Sequence, residues 1–290
     1  MIKPKLDFIG IGAPKAGTTW LHRCLGEHPD ICVSHPKELP FFKPDGPKPN
    51  LATYTEHLSH CGDEKISGEW TPFYLHSEEM ADFLRKHFPN AKLLVALRDP
   101  TERYISAYYF HLKRGDQPYP SIEEKFDADL EDAKNGKENT LTRGKYYGEL
   151  QKYWERFPAD QFHYIFYGDL RSNPQETLGQ LYAFLGVDAS YTPAALTKKK
   201  PKRSAAFRSL TLQRALFYLR NQIVRFPKLK EAVVSIGGHH VIRAIRNHNI
   251  RHNEGDQGAS PELVTQLKSY YVEDIQLLEH ALKRDLSTWK

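Results

Sequence analysis

The feature that most constrains the fold of this chain is the regular alternation of short apolar runs with amphipathic segments. The apolar runs are β-prone, and the segments between them carry apolar residues at helical spacing. Strands that alternate with helices predict an α/β fold with a central parallel sheet covered by helices on both faces. The five predicted strands are LDFIGI (6–11), DICV (30–33), EKISGEW (64–70), AKLLVALR (91–98) and FHYIFY (162–167). The predicted helices are Thr18–Glu27, Ser77–His87, Thr101–Lys113, Tyr146–Phe157 and Asn173–Leu185.

Length and composition bound the class of protein. The chain has 290 residues, which suffices for a large core, and its 40% hydrophobic and 27% charged residues are ordinary for a soluble protein. The apolar stretch in the opening MIKPKLDFIGIG is too short for a signal peptide core or a membrane-spanning helix. The net charge of +5 suits either nucleic acid or a small polyanionic cofactor.

The cysteines indicate the redox environment. Cys24, Cys32 and Cys61 are odd in number and lack the close spacing of zinc or redox motifs. We therefore expect free thiols and a cytoplasmic protein.

The turn between the first strand and the first helix, GAPKAGTT (12–19), is the strongest local motif. A strand, a glycine loop and a helix start together direct backbone N–H groups and the positive helix end at one point, which suits a phosphate. A phosphate-binding loop (P-loop) of an ATPase has Lys and then Ser/Thr after its second glycine, whereas this chain has Thr18 and Thr19 there and a lysine earlier, at Lys15. The alternative is a tight turn with Thr18 as helix cap.

Three ordered segments carry a resemblance to a known family. PKAGTTWL, PKELPFF and LRDPTERYISAYY resemble the sulfotransferases that use 3′-phosphoadenosine 5′-phosphosulfate (PAPS), most nearly the carbohydrate type similar to the heparan sulfate sulfotransferases. The resemblance extends from about Phe8 to Gly186. It implies transfer of a sulfuryl group to a hydroxyl or amine of a small-molecule or glycan acceptor, with adenosine 3′,5′-bisphosphate (PAP) as product.

The resemblance also assigns residues to the PAPS site. The loop would hold the 5′-phosphosulfate, and Lys15 would stabilise charge on the departing phosphate oxygen. Arg98 and Ser106 would clamp the 3′-phosphate, as a guanidinium and a hydroxyl are suited to do. Taken alone, Arg98 is better explained as a surface ion pair with Asp99 or Glu102, and Ser106 as an ordinary exposed helix residue; beside the first loop, the phosphate clamp is favoured. The complete expected set is Lys15, Ala16, Gly17, Thr18, Thr19, Trp20, Arg98, Ser106, Lys202, Arg203 and Ser204.

An acceptor hydroxyl loses its proton as it attacks sulfur, so the site needs a general base. We expect Glu38 in PKELPFF to be that base and Lys37 to hold the sulfuryl oxygens. Glu69, at the end of the third predicted strand, is the second candidate, and His35 is a weaker one. The alternative for Glu38 is the cap of a Pro-rich turn. The resembled family has a histidine where this chain has Pro40, so acceptor contacts at that position differ.

The remaining motifs are assigned as follows. The resemblance implies that the basic loop LTKKKPKRSAAFR folds over the cofactor, although such a run is usually solvated or binds nucleic acid. His248 and His252 share a helix face, but we interpret them as a polar surface and expect no metal. The C-terminal segment begins with Ser260 as helix cap and Pro261 in first position.

These observations predict one P-loop-containing sulfotransferase domain over residues 1–290. Its parts are an α/β cofactor-binding core (1–190), a basic cofactor-covering loop (191–208) and a helical C-terminal third (209–290). Two alternatives are a P-loop kinase or NTPase, which needs Mg²⁺ and the missing Walker lysine, and a nucleic-acid-binding module that uses the basic loop.

Overall fold

A computed structural model describes residues 6–41, 47–48, 50–114, 119, 121–197, 206–226, 233, 235, 237–251 and 259–290. Its main sheet has five strands, and every neighbouring pair is parallel. The strands are β1 (Phe8–Gly12), β2 (Ile31–Val33), β3 (Ile66–Trp70), β4 (Lys92–Leu97) and β5 (Phe162–Phe166). The predicted five-stranded parallel sheet is therefore confirmed, and each strand lies within two residues of its expected bounds.

Helices cover the sheet and continue beyond it. In the first part of the chain they are α1 (Thr18–Gly26), α2 (Leu51–Thr55), α3 (Glu78–His87), α4 (Pro100–Arg114), α5 (Ile122–Lys134) and α6 (Tyr146–Trp154). After β5 follow α7 (Tyr167–Ser172), α8 (Pro174–Leu185), α9 (Ala194–Thr197), α10 (Leu210–Arg225), α11 (Gly238–Asn249) and α12 (Pro261–Leu282). Two short strands, β6 (Ala206–Phe207) and β7 (Ile250–Arg251), pair antiparallel.

Helix starts follow the capping signals in the sequence. The backbone N–H of Leu263 donates to Ser260 Oγ at 3.2 Å, so the expected cap of the last helix is confirmed. Ser77 caps α3 and Ser121 caps α5 in the same way, each with acidic residues in the first turn that complement the helix dipole. None of the described helices is long and apolar enough to cross a membrane.

The strand order positions the functional site. The order across the sheet is β2-β3-β1-β4-β5, so the chain moves to one side of β1 for β2 and β3 and to the other side for β4 and β5. Ligands of open parallel sheets bind beyond the carboxyl ends of the strands at such a reversal. The loop after β1 and the residue after β4, Arg98, flank this point.

The chain divides into two compact units. The first comprises Met1–Arg103, Lys145–Lys199 and Tyr271–Lys290 and holds the five-stranded sheet. The second comprises Tyr104–Gly144 and Lys200–Tyr270 and holds α5, α10 and α11. The division at residues 190 and 208 expected from the sequence stays a prediction.

The expectation of free thiols is wrong for two cysteines. Cys32 in β2 and Cys61 form a disulfide, with Cα atoms 5.7 Å apart and a separation of 29 positions in sequence. The spacing of Cys32 and Cys61 in the sequence does not indicate a disulfide, because the tertiary fold, rather than a local motif, brings the segment around Cys61 beside β2. Cys24 is buried and lies outside this disulfide.

Candidate active site

The loop between β1 and α1 forms an open cradle at the start of the helix. Gly17 stands at the N-cap with φ 90° and ψ 5°, a left-handed conformation that glycine adopts without strain, and among the described residues no side chain caps this helix. Thr18 is buried beneath the loop, whereas Thr19 is exposed. The first-turn N–H groups of α1 therefore face a place where a phosphate can accept them.

Lys15 and Ala16 complete the loop. Lys15 has φ 73°, an uncommon conformation for a residue with a side chain, and is half-buried. Ala16 is fully buried, and its N–H donates to the Ala13 carbonyl at 3.3 Å. Backbone strain of this kind recurs at functional sites, where the surrounding structure holds it in place.

Arg98 reaches from the end of β4 to this loop. Its Nη1 donates to the Lys15 carbonyl at 3.4 Å, and its guanidinium lies 4.5 Å from the centre of the Tyr167 ring. It also donates from Nε to Glu102 Oε2 at 3.0 Å. The structure thus brings two predicted cofactor residues, Lys15 and Arg98, together, and the ion pair considered as an alternative forms with Glu102 at the same time.

Asp99 and Ser106 have separate positions on or beside α4. Asp99 precedes the helix, and its Oδ1 accepts the N–H of Thr101 at 2.8 Å. Asp99 therefore stabilises the start of α4. Arg98, the residue before it, lies directly after the end of β4. Ser106 lies within α4 and is half-buried. Its role toward the 3′-phosphate stays a prediction.

The segment after β2 carries Lys37 and Glu38 in a strained turn. Glu38 has φ 64°, so two of the residues expected to act on the reacting groups, Lys15 and Glu38, occupy the left-handed region. Lys37 Nζ lies 3.4 Å from Glu38 Oε1, and the Glu38 side chain is 36% exposed. The Glu38 carboxylate is therefore accessible to solvent and lies beside a cation, and its role as general base stays a prediction.

A buried polar cluster supports this turn through a backbone hydrogen bond. The N–H of Leu39 donates to Thr71 Oγ1 at 2.9 Å, and the Thr71 hydroxyl donates to Glu69 Oε2 at 2.8 Å. Tyr54 donates its hydroxyl to the other oxygen, Glu69 Oε1, at 2.9 Å. Glu69, Thr71 and Tyr54 are all at most 1% exposed. Glu69, the second candidate base, thus lies in the core with both carboxyl oxygens engaged.

Burial raises the pKa of Glu69 to about 8, although hydrogen bonds from Thr71 and Tyr54 and the charge of Lys37 act in the opposite direction. The charge of Glu38 acts in the same direction as burial. Near neutral pH, Glu69 is therefore largely protonated.

A Glu69→Gln variant is expected to flatten the pH dependence of stability. Between pH 4.5, the ordinary pKa, and about 8, the folded state keeps the Glu69 proton while the unfolded chain loses it. Rising pH then lowers the free energy of unfolding by up to about 1.4 kcal/mol per pH unit, and the variant lacks this contribution. Urea unfolding at several pH values measures the slopes. The exposed Glu79→Gln serves as control, and equal slopes for all three proteins would contradict the assignment.

His22 borders the same turn from α1. It is 8% exposed, and its Nε2 has no hydrogen-bond partner among the described residues. Burial, together with the charges of Lys37 and His35, lowers the pKa of His22 to about 4. The imidazole is therefore neutral at physiological pH.

The approach to the basic loop is anchored on α1. Trp20 Nε1 donates to the Ala195 carbonyl at 3.2 Å, and Glu27 Oε2 accepts the Ala195 N–H at 2.7 Å. Trp20 therefore has a structural role in addition to its expected place beside the cofactor. Lys202, Arg203 and Ser204 lie outside the described residues, so their contacts with the cofactor stay predictions.

Sequence reasoning overlooked three residues at this site. Thr71 and Tyr54 support the Glu38 turn, and Tyr167 stacks on Arg98. Thr71 had a readable signal, since it is a hydroxyl residue directly after a strand end. Tyr54 and Tyr167 had none, because only the tertiary fold brings them close. Trp70 and Tyr74 are fully buried.

The described residues contain one group of potential metal ligands close to one another. It consists of Cys32, His60 and Cys61, and the two sulfurs are joined to each other in the disulfide. This group is therefore a covalent link between β2 and the segment around Cys61.

Comparisons with known proteins find sulfotransferases among the relatives of this chain. The chain is 26% identical over 265 residues to the membrane-associated sulfotransferase kil1 of Dictyostelium discoideum, covering 63% of this chain and 56% of that protein. It is 32% identical over 180 residues to the heparan sulfate glucosamine 3-O-sulfotransferase 3B1 of Homo sapiens, covering 61% and 45%. The chain thus spans about half the length of the curated relatives it matches.

Similarity in structure concerns the fold. A sulfotransferase crystal structure from Alicyclobacillus acidocaldarius superposes with a TM-score of 0.68 at 22% identity, covering 98% of each chain. The model of the sulfotransferase domain family matches residues 5–214, which include β1 to β5 and the whole candidate site. The chain therefore belongs to the sulfotransferase family.

Proposed function

We propose that this protein transfers a sulfuryl group from PAPS to a hydroxyl, or an amine, of a carbohydrate-containing acceptor and releases PAP. The observation that carries the proposal is the contact of Arg98 with the Lys15 carbonyl. This contact places the Arg98 guanidinium beside the loop that leads into the uncapped start of α1. The loop follows β1, the strand at which the order of the sheet reverses. A P-loop kinase or NTPase is not favoured, because the matched family is that of sulfotransferases and Thr18 occupies the Walker lysine position.

The residues present fit the donor. PAPS supplies an activated sulfuryl group on a mixed phosphate–sulfate anhydride. The uncapped first turn of α1 would hold its 5′-phosphate oxygens, and the Arg98 guanidinium would hold its 3′-phosphate. Glu102 pairs with Arg98 in the structure. When PAPS binds, its 3′-phosphate would replace Glu102 as the partner of the Arg98 guanidinium.

The reaction residues have separate roles. Glu38 accepts the proton that the acceptor hydroxyl loses as its oxygen bonds to sulfur. Lys15 stabilises the charge that grows on the phosphate oxygen as the old sulfur–oxygen bond breaks, and Lys37 holds the sulfuryl oxygens. In-line transfer with a loose transition state needs mainly such positioning and charge stabilisation, so the proposal assigns no step to a metal.

The acceptor class rests on the relatives. Several of them are named as heparan sulfate glucosamine 3-O-sulfotransferases or as bifunctional heparan sulfate N-deacetylase/N-sulfotransferases. The resembled family has a histidine before its Phe-Phe pair, and here Pro40 is exposed at that position. We propose a carbohydrate acceptor whose contacts near Pro40 differ from those of these relatives.

Transfer from labelled PAPS to a panel of saccharides tests the proposal. Labelled product is expected from a carbohydrate acceptor without added Mg²⁺, and ATP is not expected to replace PAPS. Tight PAP binding without transfer to any saccharide would overturn the acceptor class, whereas Mg²⁺-dependent ATP binding in preference to PAP would overturn the donor.

Arg98→Ala is expected to weaken PAP binding by about 2 kcal/mol, roughly 30-fold, because it removes a charge-assisted contact to a phosphate. Isothermal titration with PAP measures the change. Arg156→Ala is the matched control, since Arg156 is ion-paired with Asp82 and Glu78 on the surface. Unchanged affinity for Arg98→Ala would remove Arg98 from the phosphate site.

Thr71 is proposed as a positioning residue for Glu38. Thr71→Val keeps the side-chain shape but removes the hydroxyl that accepts the Leu39 N–H, so the Glu38 turn shifts. We expect kcat to fall about 10²-fold with unchanged PAP affinity, and Thr71→Ser to restore most of it. Thr177→Val is the control, because the Thr177 hydroxyl donates to the Asn173 carbonyl at the start of its own helix, at 2.9 Å.

A double variant separates positioning from general instability. If Thr71 acts through Glu38, Thr71→Val adds no further loss of kcat on a Glu38→Gln background. Equal losses on both backgrounds would show that Thr71 supports the fold alone.

A further inference from the structure

The exposed apolar side chains of the described residues are concentrated in one short region. Nine large hydrophobic residues are exposed, and six of them belong to α10, to the residue that follows it, or to α11. The six are Leu212, Tyr218, Leu219, Phe226, Val241 and Ile245. Single exposed apolar residues need no explanation, whereas a concentration of this kind marks an interaction surface.

These residues recur at helical spacing. In α10, Leu212, Ala215, Tyr218 and Leu219 are exposed, while Leu216 is 8% exposed and faces inward. Residues three and four apart share one face of a helix, so α10 presents an apolar stripe outward. In α11, exposed positions follow the same spacing at Val241, Ala244, Ile245 and His248.

The two helices are held together as a hairpin. β6 precedes α10 and pairs antiparallel with β7, which follows α11. The Asn249 side chain is 2% exposed, accepts the Ser209 N–H at 2.9 Å and donates to the Ser209 carbonyl at 2.8 Å. These hydrogen bonds hold the start of α10 against the end of α11. The exposed apolar faces of the two helices therefore belong to one folded element.

The charge of this region is strongly positive. Residues 208–251 contain nine Lys and Arg and a single acidic residue, Glu231, whereas the rest of the chain has a net charge of −3. This count excludes the basic run at 198–203, which is assigned to the cofactor. Basic helices with an exposed apolar face are typical of segments that lie on anionic membranes.

We propose that the α10–α11 hairpin docks on the surface of a membrane that contains anionic lipids. The basic residues attract the lipid headgroups, and the exposed apolar side chains enter the boundary between headgroups and acyl chains. A second copy of this chain is a poorer partner for the face, because two regions with a net charge of +8 each would repel. Nucleic acid would satisfy the charges but leave the apolar stripes in water.

Sedimentation of the full chain with vesicles tests the proposal. We expect binding to phosphatidylcholine vesicles that contain about 30% phosphatidylserine, and binding at least about tenfold weaker to pure phosphatidylcholine. The double variant Tyr218→Ser, Leu219→Ser is expected to lower the affinity for anionic vesicles by about tenfold. Leu277→Ser is the matched control, since Leu277 is 45% exposed on α12, and it should bind as the unmodified chain.

Each contrary result has a definite meaning. The proposal would be overturned if the double variant bound anionic vesicles as tightly as the unmodified chain does. It would also be overturned if the affinity for vesicles did not depend on their phosphatidylserine content. Tighter binding to duplex DNA, insensitive to the double variant and abolished by salt, would replace the membrane with nucleic acid. Analytical ultracentrifugation measures the oligomeric state. A dimer of the unmodified chain that is lost in the double variant would show that the partner of this face is a second copy of the chain and not a membrane.

Discussion

A Glu38→Gln variant is expected to lose about 10²- to 10⁴-fold in kcat for sulfuryl transfer while it binds PAP as tightly as the unmodified chain. Glutamine keeps the size of the side chain but cannot accept the acceptor proton. The turn that carries residue 38 remains held by the Leu39 N–H on Thr71, so the nucleotide site is unaffected. Single-turnover transfer from labelled PAPS and titration with PAP measure the two effects separately.

The control for this experiment is Glu79→Gln. Glu79 is an exposed carboxylate that pairs with Lys48 at 2.5 Å, and its loss should leave both transfer and binding unchanged. Near-normal turnover of Glu38→Gln would remove Glu38 from the mechanism. A large loss of PAP affinity would instead show that Glu38 supports the nucleotide site.

A Lys15→Met variant is expected to lower kcat by about 10²- to 10³-fold, with a smaller loss of affinity for PAP. Methionine keeps an unbranched side chain of nearly the same length, and the cation that stabilises the departing phosphate oxygen is lost. Charge develops on that oxygen in the transition state, so the rate should suffer more than ground-state binding.

Comparing kcat with PAP affinity distinguishes this role from simple binding. Lys134→Met, at an exposed lysine 3.7 Å from Glu131, provides the control. Equal losses in kcat and in PAP affinity would mean that Lys15 holds the nucleotide without favouring the transition state.

Local patterns were sufficient to predict the elements of the core. In FIGIGAPKAGTTW, the apolar run, the glycines and the helix start are adjacent in sequence, so β1, the loop and α1 were recognised together. The same applies to Ser260 and Pro261 at the start of α12. Capping and periodicity act over a few residues, which is why they are visible in one chain.

Contacts across the sheet could not be predicted in the same way. Arg98 and Lys15 are 83 residues apart, and Leu39 and Thr71 are 32 apart. Both contacts depend on the strand order, which places β3 and β4 on opposite sides of β1. No local pattern encodes that order, and the Cys32–Cys61 disulfide was missed for the same reason.

The central claim is that the loop after β1 binds the phosphate end of a sulfate donor. A crystal structure of the protein with PAP tests it most directly. We expect the 5′-phosphate on the N–H groups at Gly17–Thr19 with the Lys15 side chain beside it, and the 3′-phosphate on Arg98. PAP bound elsewhere, or a loop without nucleotide at saturating PAP, would contradict the account.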